Sequence, residues 1–364
     1  MENLLKKTVI TITGIRPDFI RMSEIFKKLD VSFNHILIHT GQHFDKLLSD
    51  VFFEELDIRK PDYNLEIGGI GKEHFHQSAE LSVKIIELIR NKNLNPDLII
   101  FLGDSNSVTS AIPLKKEGYK IAHIEAGMRS YDKRMLEEIN RIVCDHCSDF
   151  LFVYHENYKK RVMKENINPK NIFVVGNTIV EVAKKMKFEY QSKRNQIILD
   201  IHRPENFKHK NRMIKIFEFA QQMSNNYKLK IKMIGFKRTI DYMNEFGIDP
   251  SLYNIEVVGL MSFKTYIESV YNSKFIISDS GTAQEEPSIF NTPVLVPRDY
   301  TERPESVENN CSFMIPIENL TNDVILNINK WLIDIFNGNK KIETDWLGNG
   351  TTSDKIIEIL KSSL

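Results

Sequence analysis

The sequence predicts an α/β protein made of two doubly wound domains in tandem, each a parallel sheet with helices on both faces. Three observations carry this. Short β-branched runs alternate with longer helical patterns along the whole chain, as βαβ units require. Runs such as Leu98-Ile-Ile-Phe-Leu102 are apolar without a break, which suits strands covered on both faces. At 364 residues the chain is long enough for two cores of ordinary size.

In order, the first series of strands is expected at Thr8–Thr13, His35–Thr40, Leu98–Gly103, Ile121–Glu125, Phe150–Tyr154 and Ile172–Val175. Helical periodicity falls between them over Phe19–Leu29, Gln77–Asn91 and Leu136–Ser148. A charged helical segment, Glu181–Arg194, separates the series from a second one: Gln196–Ile201, Lys228–Gly235, Ile255–Val258, Phe275–Asp279 and Pro293–Pro297. The expected division is a Rossmann-like domain over 1–178 and a second over 195–345. After the turn Gly348-Asn-Gly350, residues 346–364 form a tail, with Thr351-Thr-Ser353 as capping residues before a helix from Asp354 to about Leu360. Two such domains imply a cleft between them, with ligands beyond the carboxyl ends of the strands.

Composition narrows the function. Lys+Arg and Asp+Glu are both 49, so the formal net charge is zero, which argues against a nucleic-acid or anionic-membrane binder. No stretch approaches the ~18 apolar residues of a membrane helix, and Thr8–Thr13 is too short for a secretory signal core. The three cysteines include Cys144-Asp-His-Cys147, but no second pair follows at zinc-site spacing, so this motif reads as part of a helix. A reduced, cytoplasmic protein without a bound metal is expected.

The strand ends hold the chemistry. After the first strand stands Gly14-Ile-Arg16-Pro-Asp-Phe-Ile-Arg21, a βα turn whose glycine, helix N-terminus and arginines Arg16 and Arg21 suit an anion. Ordinary solvated arginines on a turn would look much the same. Asp104 follows the third strand, Glu125 ends the fourth, and Glu137 opens the next helix. Carboxylates brought together in a partly dry cleft have the displaced pKa values that general acid–base chemistry needs. Asp104 and Glu137 also fit helix caps, whereas Glu125 on an apolar strand has no such plain explanation. His202, in Asp200-Ile-His202-Arg203-Pro, is a proton donor or phosphate contact at the first strand end of the second domain. Ser280-Gly281-Thr282 and Glu286 sit at a strand-to-helix turn suited to a diphosphate and a ribose, and Arg303 offers a further phosphate fork.

Taken together, these segments resemble the non-hydrolysing UDP-N-acetylglucosamine 2-epimerase family. The matching residues are Gly14-Ile-Arg16-Pro, His39-Thr-Gly-Gln-His43, Gly103-Asp104, His123-Ile-Glu125-Ala-Gly127-Met-Arg129, Glu137-Glu-Ile-Asn-Arg141, Gly176-Asn-Thr178, His202-Arg-Pro-Glu-Asn-Phe207, Asp279-Ser-Gly281 with Gln284-Glu-Glu286, and Thr301-Glu-Arg-Pro-Glu305. They follow family order over about residues 8 to 310. The resemblance implies the glycosyltransferase-B architecture, a C-terminal helix packed back on the first domain, a homodimer, a UDP-sugar substrate and no cofactor. It implies elimination of UDP to a bound 2-acetamidoglycal and re-addition with C2 inverted. It places catalysis on Asp104, Glu125, Glu137 and His202, and UDP recognition on Arg16, Arg141, Ser280, Gly281, Glu286 and Arg303, with Tyr266 at the uracil-stacking position.

The chain also departs from the family pattern. Gly103-Asp-Ser-Asn-Ser107 replaces GDTTT, Asp279-Ser-Gly-Thr282 replaces DSGG, and Leu136 replaces a proline. The Asn-Ser and Ser-Gly-Thr variants are closer to the branch acting on UDP-2-acetamido-2,6-dideoxy-L-hexoses. Phe44-Asp45 differs from the usual residues of an allosteric UDP-sugar site. A sugar transferase of the same architecture, a hydrolysing epimerase and a non-catalytic UDP-sugar binder are the competing readings.

Overall fold

The computed structural model describes residues 6–41, 50–68, 73–132, 134–186 and 194–364. The chain divides into two compact units: Met1–Lys185 with Leu347–Leu364, and Met186–Trp346.

The first unit runs β1 (Thr8–Thr13), α1 (Arg16–Ser32), β2 (Asn34–His39), α2 (Asp50–Leu56), β3 (Tyr63–Asn64), α3 (His74–Asn91), β4 (Leu98–Leu102), α4 (Ala111–Lys116), β5 (Ile121–Ala126), α5 (Glu137–Cys147), β6 (Phe150–Val153), α6 (Glu156–Lys164), β7 (Ile172–Val174) and α7 (Thr178–Lys185). Its strands are parallel in the order β3-β2-β1-β4-β5-β6-β7. The chain reverses direction across the sheet between β1 and β4, where Ile12 stands beside both Ile38 and Phe101. Apolar runs make the central strands because both faces are covered. Ile10, Ile99, Phe101 and Ile121 meet Ile85 and Ile89 of α3 and Leu114 of α4. Each such aliphatic side chain contributes about 1.5–3 kcal/mol on burial. Cys144 lies in α5 and joins this core as a buried free thiol, the helical reading of its motif.

The second unit runs β8 (Gln196–Asp200), α8 (Pro204–Phe207), α9 (Lys210–Tyr227), β9 (Lys230–Ile234), α10 (Lys237–Phe246), β10 (Ile255–Val258), α11 (Phe263–Tyr271), β11 (Ser273–Ser278), β12 (Val294–Val296), α12 (Pro304–Glu308), β13 (Ser312–Met314) and α13 (Asn322–Phe336). Its parallel order is β10-β9-β8-β11-β12-β13, with the reversal between β8 and β11.

The final helix, α14 (Thr352–Ser363), returns to the first unit. It buries Ile356, Ile357 and Leu360 and packs on α1 and α7. Its entry differs from the capping expected of Thr351 to Ser353. Thr351 is the N-cap but makes no side-chain cap bond. The Ser353 hydroxyl instead donates to the buried carboxylate of Glu181 at 2.7 Å, and its backbone N–H does so at 3.0 Å. The helix expected over Glu181–Arg194 ends at Lys185, with residues 187–193 outside the described region. No helix among the described residues is long and apolar enough to cross a membrane.

Candidate active site

Both reversals of strand order fall beside residues singled out in the sequence. In open α/β sheets ligands bind at this point, beyond the carboxyl ends of the strands. In the first unit the residues are Gly14 after β1 and Gly103-Asp104 after β4; in the second they are His202 after β8 and Asp279-Ser280 after β11.

The turn after β1 is already occupied from within the chain. Asp18 Oδ2 accepts the Gly14 and Ile15 backbone N–H groups at 2.7 and 3.1 Å. Burial raises the Asp18 acid, and the neighbouring Asp104 charge adds to this against the two N–H bonds and Arg21, leaving it pushed up to about 7. The N–H groups expected to receive an anion here therefore hold a carboxylate. Arg16 is half-buried, its guanidinium 4.9 Å over the Phe52 ring. Arg21 is buried and forms an ion pair with Glu125, with Nη2 donating to the Tyr154 hydroxyl at 3.2 Å. Arg21 thus stands behind an acid, not on an exposed turn.

Glu125 is 3% exposed and lies where β5 breaks register with β6, between Ile124 and Ala126. Its φ of 71° is in the left-handed region, unusual for a residue with a side chain. Such a bulge re-aims a side chain, and the strain is of order 1–3 kcal/mol. Tyr154 approaches the same carboxylate at 3.5 Å.

Asp104 is partly exposed and ion-paired with Arg141 of α5, while its carbonyl accepts from Asn140 Nδ2 at 2.8 Å. The adjacent glutamates of α5 divide their work. Glu137 is half-buried at the helix start. Glu138 is buried and accepts the Ser130 and Tyr131 backbone N–H groups at 2.9 and 3.0 Å, fixing the loop after β5. Arg141 also reaches Glu138 at 3.4 Å, so it spans both carboxylates.

In the second unit a buried hydrogen-bonded cluster sets the strand ends. Asp279 accepts the backbone N–H groups of His202 and Arg203, both at 3.0 Å, and Asn206 Nδ2 at 2.9 Å. Asp200 accepts the Ser278 hydroxyl at 2.9 Å and faces His202 Nδ1 at 2.9 Å. Burial would lower the His202 pKa, but Asp200 and Asp279 outweigh it and hold the imidazole above its usual value. With Nδ1 engaged, Nε2 is the nitrogen left to meet a ligand. Asp200, His202 and Asp279 offer ligand atoms within 4.8 Å of one another, a spacing that could hold a metal ion. The carboxylates already bind internal donors, so the cluster reads as a hydrogen-bonded scaffold.

The strand-to-helix turn expected after β11 does not lead into an α-helix. It forms two short 3₁₀ turns, Thr282–Gln284 and Glu286–Phe290, with Pro287 interrupting any longer helix. Ser280 and Thr282 hydroxyls lie 3.3 Å apart. Gly281 has φ of −63°, so its need for glycine is one of space. A Cβ there would fall 2.5 Å from Glu302 Oε1 and 2.7 Å from Arg303 Nη1. Arg303 is buried, with Nε 3.2 Å from Glu285 and Nη1 paired with Glu302. It supports the Ser280–Thr282 turn from inside the unit, where the sequence reading expected a phosphate fork. Glu286 is buried, and Tyr266 of α11 is half-buried beside the apolar cluster of Ile198, Ile276 and Val294. Burial, then Asp200 and Glu286, keep the Tyr266 phenol protonated well above its usual pKa. Gln42, His43, Phe44 and Asp45 lie outside the described residues.

Sequence reasoning missed Asp18, Tyr154, Asp145 and the pairing of Arg303 with Glu285 and Glu302. Only Asp18 had a local signal: an acid four residues after a glycine at a helix start is a cap.

Comparison with known proteins gives a consistent result. The family model described as UDP-N-acetylglucosamine 2-epimerase matches residues 27–361. The UDP-N-acetylglucosamine 2-epimerase of Methanocaldococcus jannaschii is 32% identical over 96% of this chain and 97% of its own length. The UDP-2,3-diacetamido-2,3-dideoxy-D-glucuronate 2-epimerase of Pseudomonas aeruginosa is 32% identical over 82% of this chain and 85% of its own. Among solved structures, the M. jannaschii UDP-GlcNAc 2-epimerase in complex with UDP-GlcNAc and UDP aligns with a TM-score of 0.85 at 30% identity, covering 98% of this chain and 99% of that one.

Proposed function

The chain belongs to the UDP-N-acetylglucosamine 2-epimerase family, and from that premise we propose that it inverts C2 of a UDP-linked N-acetylhexosamine through elimination and re-addition of UDP. A base takes the C2 proton while the C1–O bond breaks and UDP leaves with the bonding pair. The product is a C1=C2 double bond in a 2-acetamidoglycal. UDP oxygen then attacks C1 again, and an acid delivers a proton to the opposite face of C2. The reaction is redox-neutral and needs acids, bases and a grip on the diphosphate.

The observation that carries this reading is the set of carboxylates in the first unit. Asp104 follows β4 and Glu125 lies near the end of the adjacent β5, and each has its own arginine, Arg141 and Arg21. Glu137 starts the helix that supplies Arg141. We assign these three to proton transfer at C2. His202 is assigned to the departing and returning phosphate oxygen, with Arg16. Tyr266, Ser280, Gly281, Thr282 and Glu286 are assigned to UDP, stacked on the base and bonded to ribose and diphosphate. Arg303 acts on UDP through the shape of the Gly281 turn. The sugar is proposed to be UDP-N-acetylglucosamine, the molecule named in the M. jannaschii complex. The Asn106-Ser107 and Gly281-Thr282 variants keep 6-deoxy-L-hexosamines in the substrate panel.

The test is turnover in D2O, with products followed by NMR. Deuterium at C2 of the inverted sugar, without added nicotinamide, is the expected result. Glu125→Gln should slow epimerisation on the order of 10²-fold or more and leave UDP binding intact. A C2-inverted product that keeps its original hydrogen would rule the mechanism out. A requirement for an acceptor, or release of free sugar, would favour the transferase or the hydrolysing enzyme.

We also propose a homodimer through the first unit. Phe75 and Val83 of α3, Ile112 of α4, and Leu136, Ile139 and Ile142 around α5 are exposed apolar side chains on neighbouring helices. A second copy would cover them, and Ile139→Asp should shift sedimentation toward the monomer. An unchanged sedimentation coefficient would remove this face from consideration. The buried free thiols Cys144 and Cys311 agree with a cytoplasmic setting.

A further inference from the structure

His123 lies in β5, two residues before Glu125, and is fully buried. Its Nε2 is 2.7 Å from the Gly103 carbonyl oxygen and its Nδ1 is 2.6 Å from Asp145 Oδ1. A carbonyl can only accept, and an ionised carboxylate can only accept. Both ring nitrogens therefore carry protons, and the ring is an imidazolium. The other groups around it complete the charge balance. Asp145 Oδ2 takes Arg129 Nη2 at 2.7 Å and the Gly127 backbone N–H at 3.0 Å. Arg129 goes on to Glu165 at 2.8 and 2.9 Å, so two cations alternate with two anions. Cys144 is another titratable neighbour; burial alone would strip the ring of its extra proton, but Cys144 and Asp145 hold it on.

We infer that His123 is a positioning residue: its imidazolium fixes the spacing of the three carboxylates assigned to proton transfer. Gly103 is the residue before Asp104. Glu125 lies between His123 and Gly127, both tied to Asp145. Asp145 belongs to α5, the helix that begins at Glu137. One buried ring thus joins the ends of β4 and β5 to α5. The inference rests on the epimerase reading, because inversion requires acids at a set distance on opposite faces of C2.

The experiment compares wild type, His123→Asn and Glu165→Gln in D2O at early conversion. It reads kcat, KM, UDP affinity, and the ratio of deuterium in recovered substrate to inverted product. That ratio reports return of the proton on the original face against the opposite face. In His123→Asn, kcat should fall 10- to 100-fold with KM and UDP affinity within threefold, because a misplacement near 1 Å costs about that much. The ratio should rise at least threefold. A role in folding alone would scale the active fraction and leave the ratio unchanged, which would overturn the proposal. Glu165→Gln changes the partly exposed end of the same chain and should move the ratio the same way even where His123→Asn does not fold. Nitrogen-15 NMR of the wild-type imidazole gives a further arm. Both ring nitrogens should show protonated shifts at pH 8, and a neutral tautomer would overturn the clamp. If wild type places no deuterium at C2 of any UDP-N-acetylhexosamine, the epimerase reading fails, while the NMR result still decides the state of the ring.

Discussion

Replacing Arg21 with methionine tests how the first unit keeps Glu125 ready. The two side chains are 6% and 3% exposed, so each charge has left water for the other. Removing one partner of a buried pair costs roughly 3–5 kcal/mol, because the remaining ion is left uncompensated. The carboxylate escapes that cost by taking up a proton. At 1.36 kcal/mol per pH unit, 3–5 kcal/mol corresponds to a rise of about 2.2–3.7 pH units in the acid limb of kcat/KM. A limb at the pH 5 end of the assayed range would then cross neutrality, and the rate at pH 7 should fall roughly 3- to 50-fold. Methionine keeps the aliphatic stem of Arg21 but removes the guanidinium, and with it the Nη2 bond to the Tyr154 hydroxyl. The assay is kcat/KM against pH from 5 to 9, with UDP affinity by calorimetry as the control. Arg21→Lys, which keeps the charge, should recover most of the activity. Superimposable pH profiles for wild type and Arg21→Met would refute the idea that Arg21 sets the state of Glu125.

Three further outcomes are expected. Asp18 is raised to about 7, against about 3.9 unfolded. Its contribution to stability is therefore complete below about pH 4 and is lost as pH rises through 7. From pH 5 to pH 8 the loss is roughly 2–3 kcal/mol. Asp18→Asn should flatten that slope in urea unfolding followed by a first-unit probe; equal slopes would disprove the assignment. Tyr266→Ala should weaken UDP binding without unfolding the second unit, whereas Arg303→Ala should weaken binding and destabilise the unit, since it removes a buried cation that pairs with Glu285 and Glu302. Calorimetry and thermal melts separate the two, and full UDP affinity in both variants would dismiss the nucleotide site. Ser353→Ala removes the hydroxyl bond to Glu181 and should cost about 1–3 kcal/mol in docking α14. Unaltered hydrogen exchange along that helix would contradict it.

The pattern of strands was legible because parallel strands buried on both faces are written as apolar runs. Thr8–Thr13 and Ile255–Val258 match the structure residue for residue. The two-residue β3 carries too few positions to show a period, and the Ser312-Phe-Met314 of β13 has no apolar run to mark it. Tertiary pairing alone makes them strands. The candidate site was legible where a residue ends a strand, as with Asp104, Glu125 and His202. It was not legible where a charge is buried by a distant partner. Arg21 and Arg303 look like surface arginines in the sequence, and only folding brings Glu125, Glu285 and Glu302 to them. The split between Glu137 and Glu138 is likewise decided by the loop that Glu138 caps.

The return of α14 to the first unit has a consequence for how the molecule is made. The second unit is one unbroken stretch, Met186–Trp346, set inside a unit whose pieces lie on either side of it. On the ribosome, the inner unit has all its residues before the outer one does. Usual N-to-C order is therefore inverted for completion. The nascent outer unit must hold an open apolar face on α1 and α7 until Ile356, Ile357 and Leu360 emerge. Until α14 docks, that face is uncovered, and it is the surface a chaperone would recognise.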